Sequence, residues 1–423
     1  MTVENSSIMA ANSDNANASN FVLTADALNQ ALPLMGPSTR AVHADDFYSP
    51  HRAIAPGMHV AVNYRYARNP DDLVPMKNDD PNAPYDSHIY SRYTAPNSSR
   101  FETALRNLFG GDVLTYSSGL AAFHAIMILL NPKRVFLGDG YHGVHRSIAL
   151  QNRVTGMEKF TLDELDKLQA GDLLHIETPV NPFGEARNIA YYVAKAKAVG
   201  AYVSVDATFA PPPLMDPLQF GVDIVMHSGT KYVGGHSDML CGILVIPSSR
   251  SSWTETLIQD RRVMGCVMGS FEGWLGIRSV RTFHLRVTRQ SQTALALVQW
   301  LHSESKKANS VVGKMVEYVQ HASLQEADLK AGWLQRQMPG GFGPVFGLCM
   351  KEEKHARVLP SRLYVFQHAT SLGGVESLME WRAMSDLGRD PRLLRVSCGV
   401  EDVEDLKSDI MQAFEALLRV GSC

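Results

Sequence analysis

The chain has 423 residues, 45% of them hydrophobic and 20% charged, and 40 basic against 43 acidic side chains leave a formal net charge of −3. That balance excludes the single-sign field of a nucleic-acid binder, no apolar run reaches membrane-span length, and the size suits two to three folded domains. Cys241, Cys266, Cys349, Cys398 and Cys423 are scattered and odd in number, which points to reduced thiols inside a cell rather than a disulfide framework.

Residues 1–20 are rich in Asn, Ser and Ala and carry no arginine. They read as a disordered tail rather than a signal or transit peptide, so a cytoplasmic location is expected. From 21 to 98, prolines, polar turns and short apolar pieces suggest an N-terminal arm that packs on a neighbour for want of its own core. Residues 99–285 alternate between helix-like segments (100–109, 120–130, 189–200) and short β-rich runs (113–116, 135–137, 173–176, 202–205, 223–226, 242–246). Such alternation predicts an α/β domain with a mostly parallel sheet, whose ligands bind at the carboxyl ends of the strands. Beyond 286 a helical pattern over 287–302 leads into a smaller α+β C-terminal domain ending at 423. There, Pro339-Gly-Gly-Phe-Gly-Pro344 is a loop or strand entry.

Three turns in the α/β region carry chemistry. Thr115-Tyr-Ser-Ser-Gly-Leu-Ala-Ala-Phe-His124 reads as a strand, a small-residue turn and a helix start. Free N–H groups at Ser118, Gly119 and Leu120 can cradle a phosphate, although the glycine spacing of a Walker loop is absent. Ala201-Tyr-Val-Ser-Val-Asp-Ala-Thr-Phe209 is a β-branched run ending in an acid. Asp206, with Thr208 beside it, can pair with a protonated pyridine nitrogen; its alternative is a helix cap or turn residue. The third is Met226-His-Ser-Gly-Thr-Lys-Tyr-Val-Gly-Gly-His-Ser-Asp238. Lys231 follows two hydroxyls, Ser228 and Thr230, that can hold a phosphate, and apolar surroundings with nearby positive charge lower a lysine pKa toward the free amine a Schiff base needs. Pyridoxal phosphate requires this combination; the alternative is a solvated lysine at a strand exit. His227, His236 and Asp238 read as structural supports, and no His/Cys/carboxylate set has metal-ligand spacing.

With these blocks in order, the chain resembles the Cys/Met-metabolism family of pyridoxal-phosphate enzymes. The matching blocks run from Thr39-Arg-Ala-Val-His43 to Leu394-Arg-Val-Ser-Cys-Gly-Val-Glu-Asp402. They include Tyr90-Ser-Arg-Tyr93, Gly140-Tyr-His-Gly143, Glu177-Thr-Pro-Val-Asn-Pro182, the lysine block and Ser371-Leu-Gly-Gly-Val-Glu-Ser377. The resemblance implies an aspartate-aminotransferase-type (fold type I) architecture: arm over 21–98, cofactor domain over 99–285, small domain over 286–423. It implies Lys231 as Schiff-base lysine and proton mover, Tyr141 stacked on the cofactor ring, and Asn181 near the cofactor and the substrate carboxylate. It also implies Arg395 as binder of that carboxylate, with Ser371 nearby; a structural ion pair is the alternative for Arg395. Tyr90 and Arg92 match residues that reach a partner subunit's phosphate, which implies a homo-oligomer for this chain: a dimer of shared sites, paired into a homotetramer.

One departure concerns Pro56-Gly-Met-His-Val60, where the family often has a proline pair followed by an active-site tyrosine. His59 takes that place, and a histidine can do acid–base work near neutrality with a shorter reach. The activity implied is γ-replacement on an O-acyl-L-homoserine-type amino acid through a vinylglycine ketimine, with a sulfur or carbon nucleophile added at Cγ. This resembles cystathionine γ-synthase and also fungal members of secondary metabolism that use carbon nucleophiles. The alternatives are a β- or γ-elimination lyase and a non-catalytic homologue acting as a binding subunit. Leu372 leans toward γ chemistry, because several β-lyases of the family carry tryptophan there.

Overall fold

The computed structural model describes residues 24–48, 53–73, 75 and 88–420; the tail expected over 1–20 and the rest of the arm lie outside them. Seven strands build the larger sheet: β1 (Asp112–Tyr116), β2 (Arg134–Leu137), β3 (Glu158–Phe160), β4 (Leu173–Glu177), β5 (Tyr202–Asp206), β6 (Ile224–Ser228) and β7 (Gly242–Ile246). Their order is β1-β7-β6-β5-β4-β2-β3. Strands β3, β2, β4, β5 and β6 are parallel, and β7 runs antiparallel to both β6 and β1. All six expected runs are strands. β3 escapes the sequence pattern because Glu158 and Lys159 are charged and exposed on a short edge.

A sheet buried on both faces needs apolar side chains pointing both ways, and β7 supplies them. Its Ile243 and Val245 enter one core layer, and Leu244 and Ile246 the other. Helices Pro96–Phe109, Ile189–Val199 and Ser270–Val280 cover the first face. Helices Gly119–Leu130, His142–Thr155 and Ser252–Met264 cover the second.

The smaller sheet is antiparallel: β8 (Val316–Gln320), β9 (Val345–Met350), β10 (Leu378–Trp381) and β11 (Leu393–Ser397), ordered β10-β11-β9-β8. The C-terminal helix Val403–Val420 packs on the same core through Leu406, Ile410, Ala413, Phe414 and Leu417, spaced as one helix face. The long helix Phe283–Ser305 joins the two halves. Phe283 and Val287 lie in the core of the larger sheet, Ala294, Leu297 and Leu301 in that of the smaller.

The first part of the expected arm docks on its own chain. Buried Asp45 pairs with Arg100 at 2.6 Å and Arg281 at 3.3 Å, and Arg40 donates to the Asn107 carbonyl at 2.6 Å. The stretch from 53 to 66 forms no helix and is mostly exposed; Trp274 Nε1 donates to the Pro56 carbonyl at 3.0 Å, and Asn63 bridges to Tyr90.

Candidate active site

Tyr116, Glu177, Asp206 and Ser228 terminate β1, β4, β5 and β6, all at one edge of the sheet. Against that edge lies a cavity of about 540 Å³, closed on its other side by Ser371, Leu372, Glu380 and Arg395 of the smaller unit. The register places Glu177 opposite Asp206 on adjacent parallel strands, so two carboxyl groups share the cavity floor.

Asp206 is 6% exposed and has no cationic partner among the described residues. Its Oδ1 accepts from the Thr208 N–H at 3.0 Å and the Thr208 hydroxyl at 2.6 Å. Burial raises its pKa despite those bonds, because a lone carboxylate in low dielectric is costly. A protonated pyridine nitrogen is the charge this acid lacks. That observation supports pyridoxal phosphate as the resident group.

Lys231 stands just beyond β6, in a turn closed by its N–H on the Ser228 carbonyl at 3.1 Å. Its Nζ donates to Ser371 Oγ at 2.7 Å. Partial burial, then the Arg395 charge, lowers its pKa to about 8. Ser371 holds a left-handed backbone at φ 73°, and its carbonyl accepts from Arg395 Nη2 at 2.7 Å. Arg395 Nη1 donates to Asn181 Oδ1 at 3.0 Å. Lysine, serine, asparagine and arginine thus form one connected set.

Arg395 also fulfils the structural alternative, since its Nη2 lies 2.6 Å from Glu380 Oε2. Glu380 sits directly opposite Arg395 in the β10–β11 pair. It is divided among Arg395, Arg382 at 2.8 Å and the Ser385 hydroxyl at 2.6 Å. The pair with Glu380 holds the guanidinium in the cavity wall and still leaves it beside the space where a substrate carboxylate would lie.

At the phosphate end, Ser118, Gly119 and Leu120 line the cavity at the start of helix Gly119–Leu130. The hydroxyls there divide their work. Thr208 orients Asp206 and accepts from the Ser228 N–H at 2.8 Å. Thr230 exchanges bonds with the Cys241 backbone, accepting at 2.9 Å and donating at 3.3 Å. The Ser228 hydroxyl lies at the cavity with no hydrogen bond to another described residue. Tyr141 is 40% exposed and lines the cavity just before helix His142–Thr155.

The structure does not bring Tyr90, Arg92 and His59 to this cavity. Tyr90 bridges to Asn63, and Arg92 lies over the Tyr90 and Tyr93 rings at 5.6 and 5.7 Å. The His59 carbonyl is held by Asn97 at 3.4 Å. Conversely, Glu177, Glu380, Arg382 and Arg146 line the cavity without having been expected there. Glu177 lay inside a recognised block, and the burial of an acid at a strand end was the signal.

Fold and site together define a pyridoxal-phosphate enzyme, with Lys231 in a cavity at the carboxyl ends of a mostly parallel sheet. More narrowly, the chain belongs to the Cys/Met metabolism PLP-dependent enzyme family, whose pattern matches residues 38–415. It is 32% identical over 347 residues to the cystathionine beta-lyase of Lactococcus lactis subsp. cremoris, covering 77% of this chain and 88% of the relative. It is 30% identical over 408 residues to the cystathionine gamma-lyase of Saccharomyces cerevisiae, covering 89% and 97%. The solved structure of cystathionine gamma synthase from Xanthomonas oryzae pv. oryzae, in complex with aminoacrylate and cysteine, superposes with a TM-score of 0.76. The two are 26% identical, with 90% of this chain and 99% of that one covered. The chain is therefore an enzyme of the lyase/synthase type with the type I fold, which sets aside the non-catalytic reading. Among the described residues no helix is long and apolar enough to cross a membrane.

Proposed function

We propose that this enzyme performs γ-replacement on an O-acyl-L-homoserine-type amino acid, adding a sulfur or carbon nucleophile at Cγ. The observation that carries the reading is Leu372, buried in the cavity wall next to Ser371, which already contacts Lys231. A leucine takes up less of the cavity wall than a larger ring would. Arg146 also lines the cavity and pairs with no carboxylate among the described residues, which suits an acid on the acyl group or the incoming nucleophile.

Pyridoxal phosphate, when bound, supplies the electron sink that makes the substrate Cα–H acidic, with Asp206 keeping the ring nitrogen protonated. The remaining steps belong to side chains. Arg395 orients the amino acid by its carboxylate, with Asn181 fixing the guanidinium. Lys231 Nζ moves protons between Cα and Cβ, held near the reaction by the Ser371 hydroxyl. The γ-acyloxy group leaves with its bonding electrons, and the nucleophile then adds at Cγ.

The second reading, elimination to a keto acid and ammonia, is supported by relatives named as lyases. Purified enzyme incubated with O-acetylhomoserine, alone and with a panel of thiols and carbon acids, separates the two by mass spectrometry. γ-Replacement gives Cγ-substituted amino acids only when a nucleophile is present. Keto acid and ammonia released at the same rate with or without nucleophile would make the enzyme a lyase.

A further inference from the structure

Glu177 lies at the centre of the cavity floor, and the family's chemistry as set out above gives it no task. It closes β4 and is 8% exposed. Its two oxygens hold two different loops: Oε2 accepts from the Tyr141 N–H at 2.7 Å and Oε1 from the Asn181 N–H at 2.6 Å. Tyr141 belongs to the loop after β2, and Asn181 to the turn after β4. Asn181 in turn accepts from Arg395, so one carboxyl group stands behind both the aromatic wall and the carboxylate-binding end.

The backbone is shaped around this clamp. At Gly140 a Cβ would stand 2.4 Å from Glu177 Oε2 and 2.9 Å from its carboxyl carbon, so any side chain there would push the acid off the Tyr141 N–H. The position is also unfavourable for a carboxylate. Burial, then the facing Asp206, raises Glu177 to about 8, against the opposing pull of the two backbone donors and Arg187. A leucine or glutamine would satisfy burial better, and neither could accept two diverging N–H donors.

We propose that Glu177 is a positioning residue that fixes the Tyr141 wall relative to the Asn181–Arg395 carboxylate site, so that cofactor ring and substrate carboxylate keep one mutual geometry. Its two oxygens are both engaged by backbone N–H groups, so it would act through the loops it holds. Glu177→Gln is the decisive variant, because it keeps shape and offers one acceptor oxygen where two are used. Gly140→Ala attacks the same clamp from the other side without altering any titratable group.

Holoenzymes of both variants should keep wild-type far-ultraviolet circular dichroism while the visible circular dichroism of the bound cofactor weakens or shifts. KM for the amino acid should rise about tenfold or more, the scale of a broken buried hydrogen bond, with a smaller change in kcat. Glu177→Asp, which retains two acceptors on a shorter stem, should recover part of the visible signal. The spectroscopic readout does not depend on the second substrate, so it stands whether the enzyme replaces or eliminates. If either variant that folds keeps the visible signal and KM of the wild type, Glu177 only fills space and the proposal is overturned. If neither folds, its role is structural and the proposal is likewise overturned.

Discussion

Lys231 Nζ donates to Ser371 and lies near the Arg395 charge, and the consequence can be read from pH. The lysine is an ammonium below about 8 and a free amine above it, and only the free amine attacks an aldehyde. Loading of cofactor-free enzyme with pyridoxal phosphate, followed by visible absorbance, should therefore accelerate as pH rises through about 8. Arg395→Met removes a charge that holds the lysine down and leaves the opposing Glu380 in place, so the midpoint should move to higher pH. A flat profile between neutral and alkaline pH would show that protonation of this amine does not limit loading. His59 poses a different question at the same scale. If it serves a neighbouring site in acid–base work, His59→Phe should keep the bound-cofactor spectrum and lose about 10²-fold in product formation. His59→Tyr should alter the preference among nucleophiles. Near-normal rates and products in both would leave it as a packing residue of the arm.

Helices Pro96–Phe109 and Ser270–Val280 pack closely on each other. The fully buried Phe101 ring lies on Gly276, where an added Cβ would come within 2.6 to 2.8 Å of three ring carbons. Gly276→Ala should therefore destabilise by about 1–3 kcal/mol through overpacking, read as a lower urea midpoint with an unchanged slope. No loss would mean that the helices can part without cost. Neither partner announces this contact locally, which marks the limit of sequence reading here. Strands such as Gly242–Ile246 were legible because a doubly buried strand must be apolar throughout. Helix His142–Thr155 was not, because it buries only Gly143, Val144 and Ile148 and leaves Leu150 and Val154 exposed, so its apolar residues do not mark one face. The site divides likewise. Lys231, Asp206 and the Ser118–Gly119 turn stand in short contiguous motifs whose residue types state their chemistry. Glu380 and Arg382 acquire meaning only when β10 pairs with β11, and Glu177 only when the loop after β2 folds back across β4. Thr230 shows the reverse, a hydroxyl in the right motif that the fold uses to hold Cys241.

The whole molecule presents a single chain whose stretch around 53–66 leaves Ile54 94%, Val60 69% and Tyr66 68% exposed. Apolar side chains so exposed gain by being covered. Tyr90 and Arg92, at the base of that stretch, lie outside their own chain's cavity. Both facts fit a second copy that takes the arm and receives these residues at its phosphate, so we propose that the smallest active unit is a dimer with shared sites. The arrangement sets an arithmetic that a monomer cannot imitate. Arg92→Ala supplies an intact lysine and a defective arm, and Lys231→Ala a defective lysine and an intact arm. After random exchange, half the dimers are mixed, and each mixed dimer has one site in which both residues are wild type. An equal mixture of two nearly inactive variants should thus recover about a quarter of wild-type activity, the fraction a two-fold shared site allows. Native mass spectrometry of tagged chains establishes that exchange has occurred, and the assay is read only then. No recovery after verified exchange would place Arg92 outside the site, and full activity of a species that light scattering shows to be monomeric would remove the need for a partner altogether.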